Sequence, residues 1–252
     1  MRKLFIIGVG AGDPDYITVQ AVKALNAVDV FFVIDKGEEK DDLVALRKEI
    51  CRRHIQNPTY RIVEARDPER DRTAAAYTSA VEDWYDKRAL IFERMIAEEL
   101  GEEGCGGFLV WGDPTLYDST IRIVERIKAR GKVAFDYEVI PGISSVQALV
   151  AKHRLPINRV GESIHVTTGR KLAEGLPPGI ANVVVMLDSQ NAYRGVDPAA
   201  EIYWGAYIGT PNEILISGKV ADVAETITAT RAEARERHGW IMDTYLLRFP
   251  QK

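Results

Sequence analysis

An apolar run ends in three alternate glycines and leads straight into a helical pattern, KLFIIGVGAGDPDYITVQAVKALNAVD, at the head of the chain. A strand, a glycine turn and a helix in that order is the repeating unit of a parallel sheet with helices on its faces, so the opening restricts the fold to the α/β class. KLFIIGV predicts the first strand and TVQAVKALNAVD the first helix. Thr18 is expected to cap that helix, because a hydroxyl there accepts from an orphan amide of the first turn.

The alternation continues. VFFVIDKG predicts a second strand. From about Lys36 to Gly107 the chain turns charge-rich and helical, in DDLVALRKEICRRHI and TAAAYTSAVEDWYDKRALIFERMIAEEL, with a strand candidate, YRIVEA, between them. After GEEGCGG come FLVWGD as strand, STIRIVERIKARG as a helix stopped by Gly131, FDYEVI as strand, and PGISSVQALVAKH as a helix capped by Ser144 or Ser145. Beyond RLPINRVGES the texture changes to strands with few helices: IHVTTG, NVVVMLD, EIYWGAYIG, EILISGKV and TYLLRF. A boundary is expected near residues 154–160. That gives an N-terminal α/β domain over 1–155, which carries the glycine loops, and a C-terminal α/β domain over 156–252.

Composition narrows the function classes. At 252 residues and 46% hydrophobic, the chain can build one large core or two modest ones. A net charge of -4 argues against a broad nucleic-acid surface, which needs clustered positive charge. No apolar run approaches the roughly 20 residues of a membrane span, and the N-terminal apolar stretch is too short for a signal peptide, so the cytoplasm is expected. Cys51 and Cys105 are far apart, and neither they nor His54, His153, His165 and His238 form a metal-ligand spacing. No metal is expected.

Three loops carry the chemistry. Gly8, Gly10 and Gly12 let backbone approach a ligand closely, but Asp13 stands where a dinucleotide fingerprint needs its third glycine. A carboxylate there repels a pyrophosphate, and no P-loop lysine follows. The alternatives are a tight turn with no ligand, or an oxidoreductase site with Asp29 or Asp35 on a ribose. VWGDPTLYDS and VIPGISSVQA also follow predicted strands, and ligands of open α/β sheets gather at the carboxyl ends of strands. Together the loops offer backbone groups, Asp13, Asp113, Ser144 and Ser145, with no Lys or Arg. That composition suits a cationic or neutral ligand with an adenosine-like body.

The ordered set GVGAGDPDYIT, WGDPTLY and VIPGISS, followed by VVVMLD and GTPNEILISGKV, resembles the tetrapyrrole methylase family. The resemblance implies two domains: an N-terminal Rossmann-like parallel sheet with helices on both faces, and a C-terminal mixed α/β sheet domain completing the cleft. It also implies an S-adenosylmethionine-dependent methyltransferase that releases S-adenosylhomocysteine, and a homodimer. Carried over by position, the cofactor contacts fall on Ala11, on Trp111, Gly112, Asp113 and Leu116, on Ser144 and Ser145, and on Met186 and Ile208. Ala11 stands where other members often have Pro, a change that a backbone contact tolerates. The long charged block after VIDKG and the ending YLLRFP are most similar to members that methylate precorrin-5 at C1 and release acetate. Another precorrin or uroporphyrinogen methyltransferase of the family would share all three loops.

In-line methyl transfer can be catalysed by positioning alone, so no triad is expected. A substrate rich in acetate and propionate groups calls for guanidinium groups, for which Arg47, Arg52, Arg53, Arg66, Arg70 and Arg72 are candidates. Each also reads as part of a solvated, charge-alternating face. Tyr117 either flanks a flat ligand or packs.

Overall fold

The structure is a computed structural model that describes residues 1–35, 41–56, 59–68 and 77–250. Arg70 and Arg72 lie outside the described residues. The chain divides into two compact units, Met1–Gly10 with Pro14–Ile143, and Ala11–Asp13 with Ser144–Lys252.

The first unit is an all-parallel sheet of β1 (Arg2–Gly8), β2 (Val30–Asp35), β3 (Arg61–Arg66), β4 (Cys105–Val110) and β5 (Phe135–Ile140), in the order β3-β2-β4-β1-β5. Central β1 shows why the sequence folds this way. Side chains alternate across a strand, and here both faces are covered, so both sets are apolar. Leu4 and Ile6 pack with Phe32 and Phe108 against Phe92 and Ile96 of α3 (Tyr77–Glu99) and Ile123 and Ile127 of α4 (Thr120–Arg130). Phe5 and Ile7 pack on the other face with Phe31, against Ala21 and Leu25 of α1 (Val19–Leu25) and Ile50 and Cys51 of α2 (Asp41–His54). Each such side chain, fully buried, contributes about 1.5–3 kcal/mol. Thr18 caps α1, its Oγ1 accepting from the Ala21 amide at 3.0 Å, and Gly131 ends α4 in the left-handed region at φ 66°.

The second unit is a mixed sheet of β6 (Ile164–Thr168), β7 (Asn182–Met186), β8 (Glu201–Ala206), β9 (Ile214–Lys219) and β10 (Asp243–Arg248), in the order β6-β7-β10-β8-β9. Only β6 and β7 run parallel; the other neighbours are antiparallel. Its core holds Val183, Val185, Tyr193, Ile202, Trp204, Tyr245 and Leu247. α5 (Ser145–Lys152) packs on β8 and β10. That packing sets the division between units at Ile143/Ser144, ahead of the proline- and glycine-containing stretch at 154–160 where sequence texture changes.

Two further helices, α6 (Gly169–Glu174) and α7 (Val220–His238), join the five strands of this half, the few helices its strand-rich texture implies, though pattern reading does not locate α7. The 19-residue α7 escapes pattern reading because its inner face is not a plain apolar stripe. The residues it buries are Val220, Ile227, Arg231 and Ala234, so one of the four is a guanidinium.

Candidate functional site

The three glycine-containing loops of the sheet are tied to one another by backbone. Loop one meets loop two through an antiparallel bridge, with the Gly10 amide donating to Gly112 O at 3.3 Å and the Gly112 amide to Gly10 O at 2.8 Å. Loop two meets loop three through Asp113, whose Oδ2 accepts from the Gly142 amide at 2.9 Å while its Oδ1 accepts from the Thr115 amide at 2.8 Å. The approach is too close for side chains. A Cβ on Gly8 would stand 2.6 Å from Gly142 N, and one on Gly142 would stand 2.0 Å from Gly112 O. Glycine is required here by contact, not by φ.

Asp113 is thus engaged twice within its own unit. Burial by itself raises its carboxyl pKa, but hydrogen bonds from the Thr115 side chain and from the Gly142 and Thr115 amides outweigh burial and hold it below the usual carboxylate range. It stays ionised through neutral pH. Trp111 and Leu116 flank it half-buried, Gly112 is buried, and Tyr117 follows in the left-handed region at φ 52°, 46% exposed.

Loop one departs from a dinucleotide fingerprint more than its residues suggest. A 3-10 turn at Pro14–Tyr16 follows it, and α1 begins only at Val19. Asp13 immediately precedes the 3-10 turn and is separated by it from α1, whose N-cap is Thr18, so it does not stand at the N-terminus of α1. Asp29 is also misplaced for a ribose contact: it precedes β2 at the amino end of the sheet, and its Oδ2 accepts from the Cys105 amide at 2.8 Å. The side chain of Asp35 lies outside the described residues.

In the second unit, Ala11–Asp13 lie with the turn after β8. A Cβ on Gly12, at φ 127°, would stand 2.3 Å from Ile208 O, and both Ala11 and Ile208 are buried. Ser144 caps α5, its Oγ accepting from the Val146 amide at 3.1 Å and donating to Gln147 Oε1; Ser145 beside it is half-buried. Met186 ends β7, followed by Leu187 at φ 53° and 64% exposed, then by buried Asp188. Tyr207, at φ 49°, precedes Ile208. Left-handed non-glycine residues cost about 1–3 kcal/mol each and persist where the surroundings over-determine them. Tyr117, Leu187 and Tyr207 each adjoin a residue singled out from sequence: Leu116, Met186 and Ile208.

A buried polar network surrounds the Met186 turn, and sequence reasoning missed it. Asp188 Oδ2 accepts from Tyr245 Oη at 2.8 Å and from the Ala192 amide at 2.7 Å, and Arg231 Nη2 donates to Asp188 O at 2.5 Å. Arg231 Nε also donates to Asp243 Oδ2 at 3.0 Å, which accepts from Trp204 Nε1 at 2.9 Å. The signal that exists in the sequence is an arginine on the inner face of α7, legible only once α7 is placed. Gly169 makes room for Asp188, since a Cβ there would stand 2.4 Å from the carboxylate.

Burial pushes the Cys51 and Cys105 thiols up to about 11, so both remain protonated and poor nucleophiles. No helix among the described residues is long and apolar enough to cross a membrane.

A parallel α/β sheet whose strand ends present glycine-lined loops is of Rossmann-like architecture. The chain belongs to the Tetrapyrrole (Corrin/Porphyrin) Methylases, whose family model matches residues 3–224, and it is a methyltransferase. It is 55% identical to a precorrin-6A synthase [deacetylating] of Sinorhizobium sp, over 98% of this chain and 95% of the relative. Among solved structures it is similar to a cobalamin synthesis related protein, CobF, from Corynebacterium diphtheriae, with 39% identity, a TM-score of 0.86 and 98% of each chain covered. It shares its fold with uroporphyrin-III C-methyl transferase from Thermus thermophilus complexed with S-adenyl homocysteine, at 18% identity, a TM-score of 0.58 and coverage of 97% and 96%.

Proposed function

We propose that this chain is an S-adenosylmethionine-dependent C-methyltransferase that methylates precorrin-5 at C1 and releases acetate, giving precorrin-6A in cobalamin (vitamin B12) biosynthesis. The observation that carries this reading is the 55% identity, over 98% of the chain, to the Sinorhizobium precorrin-6A synthase. The chemistry of the loops supports it. Backbone carbonyls, the ionised Asp113 and the lack of lysine and arginine suit a sulfonium better than a polyphosphate. To the cofactor we assign Trp111, Gly112, Asp113 and Leu116 of the first unit, and Ala11, Ser144, Ser145, Met186 and Ile208 of the second. By family resemblance the protein works as a homodimer, and we place it in the cytoplasm.

S-adenosylmethionine, when bound, supplies a methyl group on a positively charged sulfur. The protein's own part is positional: Asp113 holds loops two and three together, and the glycine contacts bring backbone groups to the ligand without intervening side chains. Orientation of this kind replaces a chance encounter by a prepared one. Release of acetate consumes one water, whose oxygen bonds to the acetyl carbon as that carbon's bond to the macrocycle breaks.

The test is incubation with methyl-labelled S-adenosylmethionine and precorrin-5, following label in the macrocycle and free acetate together. Both are expected in equal amounts. Methylation without acetate would reject the deacetylating assignment in favour of another precorrin methyltransferase of the family, and no methylation would reject the reading.

A further inference from the structure

Helix α2 carries three arginines, and the structure separates one from the others. Arg52 and Arg53 turn to solvent and share Glu49: Arg52 Nε and Nη2 donate to its two oxygens at 2.7 Å each, and Arg53 Nε to Oε1 at 2.6 Å. Arg47 faces the sheet, where it lines a cavity of about 10 Å³ with apolar Phe31, Val33, Ile62 and Leu109, the exposed Glu64 and Lys48 standing at its edge. Its Nε is buried and, among the described residues, has no hydrogen-bond partner. The cavity has room for about one water, so any larger partner must arrive from the open side of this half-buried residue. An anion that acts on it is Asp118, an exposed residue whose Oδ1 accepts from the Thr120 amide at 2.7 Å.

Location adds a second, independent observation. Leu109 and Val33 lie toward the carboxyl ends of β4 and β2, and Asp118 closes the loop that holds Trp111, Gly112 and Asp113. This is the end of a parallel sheet where ligands gather. A buried guanidinium N–H without a hydrogen-bond partner among the described residues is unfavourable in a folded chain by itself. A bound carboxylate would complete it.

The geometry points to Arg47 as an anchor for a carboxylate of the tetrapyrrole substrate, an inference that rests on the methyltransferase reading above. Arg66, by contrast, is exposed at the end of β3.

Arg47→Met, Arg47→Lys and, as a control outside the site, Arg52→Ala test it by steady-state kinetics with precorrin-5, calorimetry with S-adenosylhomocysteine, and thermal melting. Arg47→Met keeps the apolar stem and removes the charge. It is expected to raise KM for precorrin-5 roughly ten- to hundred-fold, with S-adenosylhomocysteine affinity unchanged and a melting temperature equal to or above that of the parent. Arg47→Lys should recover part of the loss, and Arg52→Ala should match the parent. An unchanged KM in Arg47→Met would overturn the inference, and a lowered melting temperature with unchanged KM would show Arg47 to be structural. If the parent itself fails to bind S-adenosylhomocysteine, the methyltransferase reading falls and this inference falls with it.

Discussion

The two units hold their loops by opposite means. In the first, loops are tied by backbone and by one carboxylate: the Gly10–Gly112 bridge and Asp113 on the Gly142 amide. In the second, turns bearing left-handed Leu187 and Tyr207 stand beside buried side chains, with Asp188, Arg231, Asp243, Tyr245 and Trp204 in one hydrogen-bonded set. Backbone ties need small residues at fixed places in the chain. A side-chain network needs particular residues that meet only after folding.

The largest expected effect is in the network. Asp243 is buried, and burial pushes its carboxyl pKa up, opposed by the Arg231 guanidinium and the Trp204 indole. Asp243→Ala leaves buried Arg231 without its carboxylate, with only the Asp188 carbonyl among the described residues to bond, and should cost about 3–5 kcal/mol, read by denaturant unfolding. Arg231→Met combined with Asp243→Leu should restore most of that stability, since a buried pair is often replaceable by apolar residues when both members go together. Failure of the double variant to recover would show that the network does more than satisfy itself.

In the first unit, Gly142→Ala forces a methyl to within 2.0 Å of the Gly112 carbonyl. A loss of about 1–3 kcal/mol is expected, together with S-adenosylhomocysteine binding too weak to measure by calorimetry. Normal binding in that variant would mean that loop three does not touch the cofactor. Asp113→Asn keeps the shape and removes the charge; roughly tenfold weaker S-adenosylhomocysteine binding is expected, with the fold retained by circular dichroism.

The smallest effect is a pH dependence of the second unit. Burial lowers the pKa of His153 from 6.5, outweighing its Nε2–H bond to Trp204 O at 3.1 Å and the charge of Glu213. The folded state therefore favours neutral His153. Its contribution is fully present above about pH 6.5 and is lost as pH falls below that value toward the folded pKa. His153→Gln should flatten the stability profile below pH 6.5 by at most about 1 kcal/mol, measured as urea unfolding at a series of pH values.

The same contrast governs what the sequence discloses. Every strand of both sheets is legible in its apolar run, because runs such as NVVVM and DTYLLR keep their period whichever neighbour they pair with, but β4 begins at Cys105, inside the GEEGCGG that reads as leading up to it, and ends at Val110, short of the end of FLVWGD. The glycine loops are legible because a glycine reports directly on backbone crowding, and the Thr18 and Ser144 caps because each depends on residues two or three positions away. The tie from Asp113 to Gly142 spans 29 residues, and the links from Asp188 to Tyr245 and to Arg231 span 57 and 43. Pattern reading has no access to such distances. α7 was hidden for the same reason, since its buried arginine makes sense only beside Asp243.

Titration of the purified protein with S-adenosylhomocysteine by calorimetry bears most directly on the assignment of these loops to a methyl donor. Saturable binding in the micromolar range is expected, weakened by Asp113→Asn. No heat of binding up to millimolar ligand would contradict it.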